Sequence, residues 1–304
     1  MFRRAAAALS VITLLPMSAA YAQGKKPHHD GNGFKNPWPS FTSYGLGSVP
    51  RMLWTADSKR AFEEVKSMKP PQPVKMDWDL IKQGEEGVIR ATWLGHACVL
   101  VQLNGFNILL DPIFSESYDH LDEQTINKVS QLNPDCKFYV PLGNKKWFNL
   151  EKSVDRNGDQ RVIELDWWDS SMLQRHVDNQ VVSQVRLTCT PCQHFTGRGI
   201  FDRNKTLWAS WCLEGMVDEN TTKGKVFFGG ATKDQQYDVK YLDTLPFCPA
   251  FKEIGEKFNG FDLALIPIGA YSPRWFMSPI HCSPEDAVRV HEDVKSKRSV
   301  SDSK

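Results

Sequence analysis

Three side chains of this 304-residue chain have the types and settings to hold a metal ion. Asp119 and His120 are adjacent in Asp-Pro-Ile-Phe-Ser-Glu-Ser-Tyr-Asp-His, and His194 ends Cys-Thr-Pro-Cys-Gln-His. Each follows an apolar run that reads as a strand, and loops at strand ends are where rigid scaffolds present functional groups. A carboxylate and imidazoles converging from such loops are donors for a catalytic zinc, which takes three protein ligands and keeps a fourth position open to water. Taken singly, the same residues have ordinary roles: Asp119 as a helix N-cap, His120 and His194 as hydrogen-bonded surface histidines. His96, in Trp-Leu-Gly-His-Ala-Cys-Val, is flanked by strand residues and reads as structural or as a support to ligands. His281, just ahead of a helix, is open to either reading. Cys189 and Cys192 form a C-x-x-C pair, but no second pair completes a zinc knuckle. Most of the seven cysteines sit inside apolar runs, as buried free thiols do.

The elements that must position these groups begin at Gly87. Two or three strands follow, with Asn104-Gly105 as a hairpin signal. Leu, Ile and Val at helical spacing predict a helix after His120. Strands are predicted in Cys-Lys-Phe-Tyr-Val-Pro-Leu-Gly, Arg-Val-Ile-Glu-Leu, Val-Val-Ser-Gln-Val-Arg-Leu-Thr-Cys, Lys-Thr-Leu-Trp-Ala-Ser-Trp-Cys-Leu and Gly-Lys-Val-Phe-Phe. A helix is predicted from Pro249, a buried strand over 261–271, and a last helix opened by Ser283-Pro284-Glu285-Asp286. That opening supplies an N-cap, a proline in the first turn and acids at the positive end of the dipole. Strands interleaved with helices predict an α/β protein with helices outside packed sheets.

The chain is long enough for one large domain with a sizeable core. Its 37 basic and 36 acidic residues nearly cancel, which argues against nucleic acid as a partner. Arg3 and Arg4 precede an apolar stretch and Ala20-Tyr21-Ala22, the pattern of a secretory leader, with a mitochondrial presequence as the second reading. That stretch is shorter than the roughly 20 residues a bilayer span needs. The organisation expected is a leader over 1–22, a linker and N-terminal extension over 23–85, and a domain over 86–304. Lys-Lys-Pro-His-His-Asp, within the linker, reads as a solvated tail.

Several blocks are long and specific: Thr-Trp-Leu-Gly-His-Ala, Val-Pro-Leu-Gly, Val-Ile-Glu-Leu-Asp-Trp-Trp, Thr-Pro-Cys-Gln-His-Phe and Ile-Pro-Ile-Gly-Ala-Tyr-Ser-Pro-Arg-Trp-Phe-Met. Over residues 34–298 the chain resembles the N-acylphosphatidylethanolamine-hydrolysing phospholipase D family of the metallo-β-lactamase superfamily. The resemblance implies an αββα sandwich, a dinuclear zinc centre, a membrane phospholipid as substrate partner, and membrane association; it also admits a homodimer. It implies release of an N-acylethanolamine and phosphatidic acid, with Arg274, Trp275 and His281 on the substrate side. The family's His-x-His-x-Asp-His loop falls on Ser115, Ser117, Asp119 and His120, and its bridging aspartate falls on Ala231. Asp234 lies three residues further on. The metal ligands carried over are therefore Asp119, His120 and His194, split between two metal positions, with Asp119 also linked to catalysis. An internal strand segment after Asp111 and the family's C-terminal part, with its last histidine, are expected to be missing. The implied outcome is a phospholipase D-type site damaged in its metal ligands, or an inactive splice or gene-model product that binds lipid without turnover.

Overall fold

The computed structural model describes residues 11–17, 26–55, 72, 74–83, 87–114, 122–148, 154–155, 158–197, 202–218, 220–229, 247–277 and 279–303. Its first sheet is the antiparallel meander β4 (Arg90–Gly95), β5 (Cys98–Leu103) and β6 (Phe106–Leu110). Asn104 and Gly105 take φ of 49° and 79°, the two positive values that a primed hairpin turn requires. The hairpin legible in the sequence is thus formed by the residues that signalled it.

The larger sheet has seven strands, with β1 (Val11–Met17) at one edge, in the order β1-β9-β10-β11-β12-β13-β14. Its body is β9 (Ser170–Val177), β10 (Gln180–Thr190), β11 (Ser210–Met216), β12 (Thr222–Phe228), β13 (Leu263–Ile268) and β14 (Ser299–Ser303). Pairing is antiparallel from β9 to β12 and parallel from β12 through β14. Parallel neighbours need a crossover. Helix α4 (Ala250–Phe258) lies between β12 and β13 in the chain, and α6 (Pro284–Asp293) lies between β13 and β14. Strand β9 is an addition to the sequence reading. Its hairpin to β10 turns on Asp178 and Asn179, with φ of 50° and 61°, side chains that tolerate the left-handed region. Val11–Met17, within the stretch read as a leader, forms β1 and pairs antiparallel with β9.

Two apolar cores follow from this layering. Val99, Val101 and Leu103 of the small sheet meet Val185, Leu187, Leu213 and Val226 of the large one. On the opposite face, Phe227, Ala264 and Ile266 meet Phe251, Ile254 and Phe258 of α4 with Ala287 and Val290 of α6. Burying one such Phe or Ile side chain is worth about 1.5–3 kcal/mol. The two helices approach closely because Gly255 has no side chain; a Cβ there would collide with the carbonyl oxygen of Asp293. Helix α6 starts as its sequence dictates: Ser283 is the N-cap of a capping box with Asp286, and Pro284 opens the first turn.

A further parallel pair, β7 (Phe138–Pro141) and β8 (Val162–Leu165), lies beside α3 (Glu123–Leu132). Arg161 joins them, bonding the Ser130 hydroxyl at 2.9 Å and the Cys136 carbonyl at 3.1 Å. Short helices α1 (Val49–Thr55), α2 (Trp78–Gln83) and α5 (Arg274–Met277) complete the α-helices among the described residues.

The N-terminal extension corrects one expectation. Most of the stretch read as a solvated tail is a packed strap that includes the two-residue strands β2 (His29–Asp30) and β3 (Gly33–Phe34). His28 is only 4% exposed. Apolar content at that point is low, so nothing local signals burial; Asp166, 138 positions away in the chain, supplies the reason.

Candidate functional site

Strands β10, β12 and β13 run in one direction, because two antiparallel steps separate β10 from β12 and the next step is parallel. Their C-terminal ends therefore share one edge of the large sheet, where loops collect. From β10 the chain passes through Pro191 and Cys192 to Gln193 and His194. From β13 it passes through Gly269 to α5 and then to His281. The two imidazoles meet edge to face, with ring centroids 6.1 Å apart. The structure thus brings together two candidates that are 87 positions apart in the chain.

The loop carrying His194 is fixed by the N-terminal strap. Asn36 Nδ2 donates to the His194 carbonyl at 2.7 Å, and the Ser40 hydroxyl donates to Gln193 Oε1 at 2.6 Å. Gln193 is fully buried and its Nε2 donates to the Pro279 carbonyl at 3.3 Å, next to the His281 loop. One amide therefore ties three segments: strap, first loop and second loop. The His194 ring stacks on Phe195 with centroids 5.3 Å apart and an interplanar angle of 10°, and its Nδ1 lies 2.6 Å from the Phe195 carbonyl. None of Asn36, Ser40 or Gln193 was singled out from the sequence. Asn-Pro-Trp-Pro-Ser beside an apolar core was the only available signal.

Asp111 ends the small sheet with φ of 41°, a conformation that turns the chain sharply after β6. Burial pushes the Cys98 thiol up to about 11, with the Asp111 charge adding to it, and pushes Cys192 well above its ordinary range, with Cys248 and then Asp111 adding to it. Cys189 rises for the same first reason, burial, so the C-x-x-C pair is a pair of buried protonated thiols. Asp119 and His120 lie outside the described residues, as do Ser115, Ser117, Ala231 and Asp234. The ends of the first of these segments are nonetheless drawn together. Asp122 caps α3 through Gln124 and Thr125 and also accepts the Phe114 backbone N–H at 3.1 Å.

The remaining candidates have firm local contacts. His96 occupies the turn between β4 and β5 with φ of 49°, its Nδ1 accepting the Ala97 N–H at 2.8 Å. Arg274 directs its two terminal nitrogens to Glu285 and Asp286 at 3.1 and 3.3 Å. A phosphate there would share the guanidinium with α6. Trp275 donates to Thr55 Oγ1 at 2.9 Å, Arg51 lies 4.5 Å over its ring, and Tyr44 meets it edge-on at 5.3 Å.

Among the described residues one group of three side chains is close enough to share a metal ion, and it is not at His194. It comprises His28, His29 and Asp166, whose ligand atoms all lie within 4.8 Å of one another. His28 Nε2 is 2.7 Å from Asp166 Oδ1 and His29 Nε2 is 2.8 Å from Oδ2. The Lys26 ammonium is 2.7 Å from Oδ2. Burial works against the Asp166 charge, yet the hydrogen bonds and charges of His28 and Lys26 outweigh it and hold the carboxyl well below the usual range. At the loop edge itself, His194 and His281 alone do not make the three-donor set that a catalytic zinc takes.

Comparison with known proteins agrees with this architecture. A beta-lactamase superfamily domain matches residues 112–301. "N-acyl-phosphatidylethanolamine-hydrolyzing phospholipase D 1" of Caenorhabditis elegans is 32% identical over 90% of this chain and 81% of its own length. The mitochondrial protein of the same activity name from Saccharomyces cerevisiae is 28% identical over 71% of this chain and 47% of its own. A metallo hydrolase of Ignicoccus hospitalis has a TM-score of 0.43 at 15% identity, covering 70% of this chain and 81% of its own. The family match makes the fold that of the metallo-β-lactamase superfamily and the class that of a metal-dependent hydrolase. Within that superfamily, the chain belongs to the N-acylphosphatidylethanolamine-hydrolysing phospholipase D family.

Proposed function

We propose that the chain is by descent a phospholipase D-type phosphodiesterase of N-acylphosphatidylethanolamine that keeps recognition of this lipid, with the metal-binding part of the family site reduced and turnover lost with it. The reaction adds water across the phosphorus–oxygen bond on the ethanolamine side. It gives an N-acylethanolamine and phosphatidic acid. The observation that carries this reading is the His194–His281 pair at the strand-end edge, on a chain 32% identical to a protein named for that hydrolysis. Zinc, when bound in this family, would supply a water made nucleophilic near neutral pH. On this chain Asp119, His120 and His194 are the residues to hold it, and Ser115, Ser117 and Ala231 offer no comparable donor.

A membrane surface as the place of action has its own support. Trp54 on α1 is 88% exposed, and Thr55 and Arg51 of the same helix contact Trp275 of α5. Exposed tryptophan beside arginine suits the headgroup level of a bilayer. No helix among the described residues is long and apolar enough to cross a membrane. Association with a bilayer surface, a leader directing secretion or mitochondrial import, and a homodimer all belong to this proposal.

The test is release of N-acylethanolamine from vesicles containing N-acylphosphatidylethanolamine, with and without chelator. Vesicle binding with release near the uncatalysed level is expected, and Ala231→Asp alone leaves release unchanged because the metal position served by His194 then has only two ligands. Robust chelator-sensitive release would show that the ligand count is wrong while leaving the substrate assignment in place. Failure to bind such vesicles would remove the substrate assignment itself.

A further inference from the structure

Where the strap lands on the domain, two imidazoles and a lysine converge on one carboxylate that is 5% exposed. The two rings lie edge to face with centroids 4.6 Å apart, and His28 packs against Trp167 at 4.2 Å. Phe34 bounds His29 at 5.3 Å. The carboxylate is held from behind by the Trp167 N–H, which donates to Oδ1 at 2.8 Å, and the Asp166 backbone is fixed separately, its N–H donating to Asp169 Oδ2 at 3.0 Å. We propose that His28, His29 and Asp166 form a binding site for one divalent ion of the zinc class, separate from the family's metal positions around His194.

The donor set fits the ion. Two imidazole nitrogens and a carboxylate oxygen, with one position left for water, are a familiar zinc environment. Ligand atoms around a tetrahedral zinc with bonds of about 2.0–2.1 Å stand roughly 3.3 Å apart, so each imidazole must withdraw slightly from the carboxylate oxygen it now contacts while the set closes within its 4.8 Å span. Backbone hydrogen bonds that fix a ligating carboxylate are the usual outer support of such a site. Lys26 is the competitor: its ammonium neutralises Asp166 in the metal-free protein. Its side chain is 32% exposed, and Asp169 Oδ1 lies 3.7 Å from Nζ, so a carboxylate is at hand to receive it when an ion enters. The ion then replaces one positive charge on Asp166 by two. Bound there, it cross-links the strap to the domain, and the same strap carries Asn36 and Ser40 to the His194 loop.

The experiment titrates Zn²⁺, and Co²⁺ as a spectroscopic substitute, into the full chain carrying His120→Ala and His194→Ala, which disables both family positions. One equivalent should bind, with the visible absorption of tetrahedral cobalt, and zinc should raise the thermal midpoint. His29→Ala should weaken binding roughly tenfold or more, at least the cost of losing an outer-shell partner. Lys26→Met should tighten it by removing the competing cation. Asp166→Asn should abolish it; if that variant folds poorly, His29→Ala still decides, because it leaves the His28–Asp166 contact in place. Absence of saturable binding, or equal affinity in the parent and His29→Ala chains, would overturn the site and leave an ion-paired clasp.

Discussion

Gln193→Ala is the substitution that most directly probes how the site is assembled. The amide is fully buried and takes the Ser40 hydroxyl at 2.6 Å while donating to the Pro279 carbonyl at 3.3 Å. Truncation removes two hydrogen bonds, each worth about 0.5–1.5 kcal/mol net. It also takes a partner from each of two buried polar groups and opens a cavity of several atoms. Together these predict a loss of about 2–5 kcal/mol. The general loss does not identify the tie, but a double-mutant cycle does. Ser40→Ala alone should cost about 1 kcal/mol, and the Ser40→Ala/Gln193→Ala pair should show a coupling of about 0.5–3 kcal/mol. Urea unfolding followed by tryptophan fluorescence gives all four corners of the cycle. Additive costs would refute the claim that this amide joins the strap to the His194 loop. Gln193→Glu offers a second check, since it keeps the volume and the acceptor but removes the donor to Pro279.

Two further outcomes concern the scaffold. Gly255→Ala should destabilise by about 1–3 kcal/mol, the usual range for overpacking, because the new methyl meets the Asp293 carbonyl of α6; an unchanged guanidinium midpoint would contradict the close helix approach. Glu214 lies opposite Arg186 and Lys225 in the large sheet, and burial raises its carboxyl above the ordinary range despite both cations. A carboxyl raised in the folded state binds its proton more tightly there than in the unfolded chain. Stability should therefore fall as pH rises from the unfolded value of about 4.3 through the raised folded value. Glu214→Gln should flatten that fall, and an identical pH profile for the two proteins in urea melts would refute the assignment.

What the sequence determines by itself is local. Asn104-Gly105 turns the hairpin because only a few side chains accept two positive φ values in succession. Ser283-Pro284-Glu285-Asp286 starts α6 because capping is a contact between residues three positions apart. The motif blocks likewise carry the family, and with it the fold and hydrolase class, since they are stretches of contiguous residues. Some local signals were too faint: Asp178-Asn179 makes a primed turn as Asn104-Gly105 does, but lacks the glycine that marks one. Tertiary structure alone decided the rest. His194 faces His281 because strand order brings distant loops to one sheet edge. Arg274 is committed to α6, although its neighbours in the chain give no sign of it. The strap shows the difference most clearly. Its polar residues have the composition of a solvated tail, and burial becomes favourable only because a carboxylate from far along the chain compensates their lost hydration. A pattern of nearest neighbours cannot encode that partner; the fold has to deliver it.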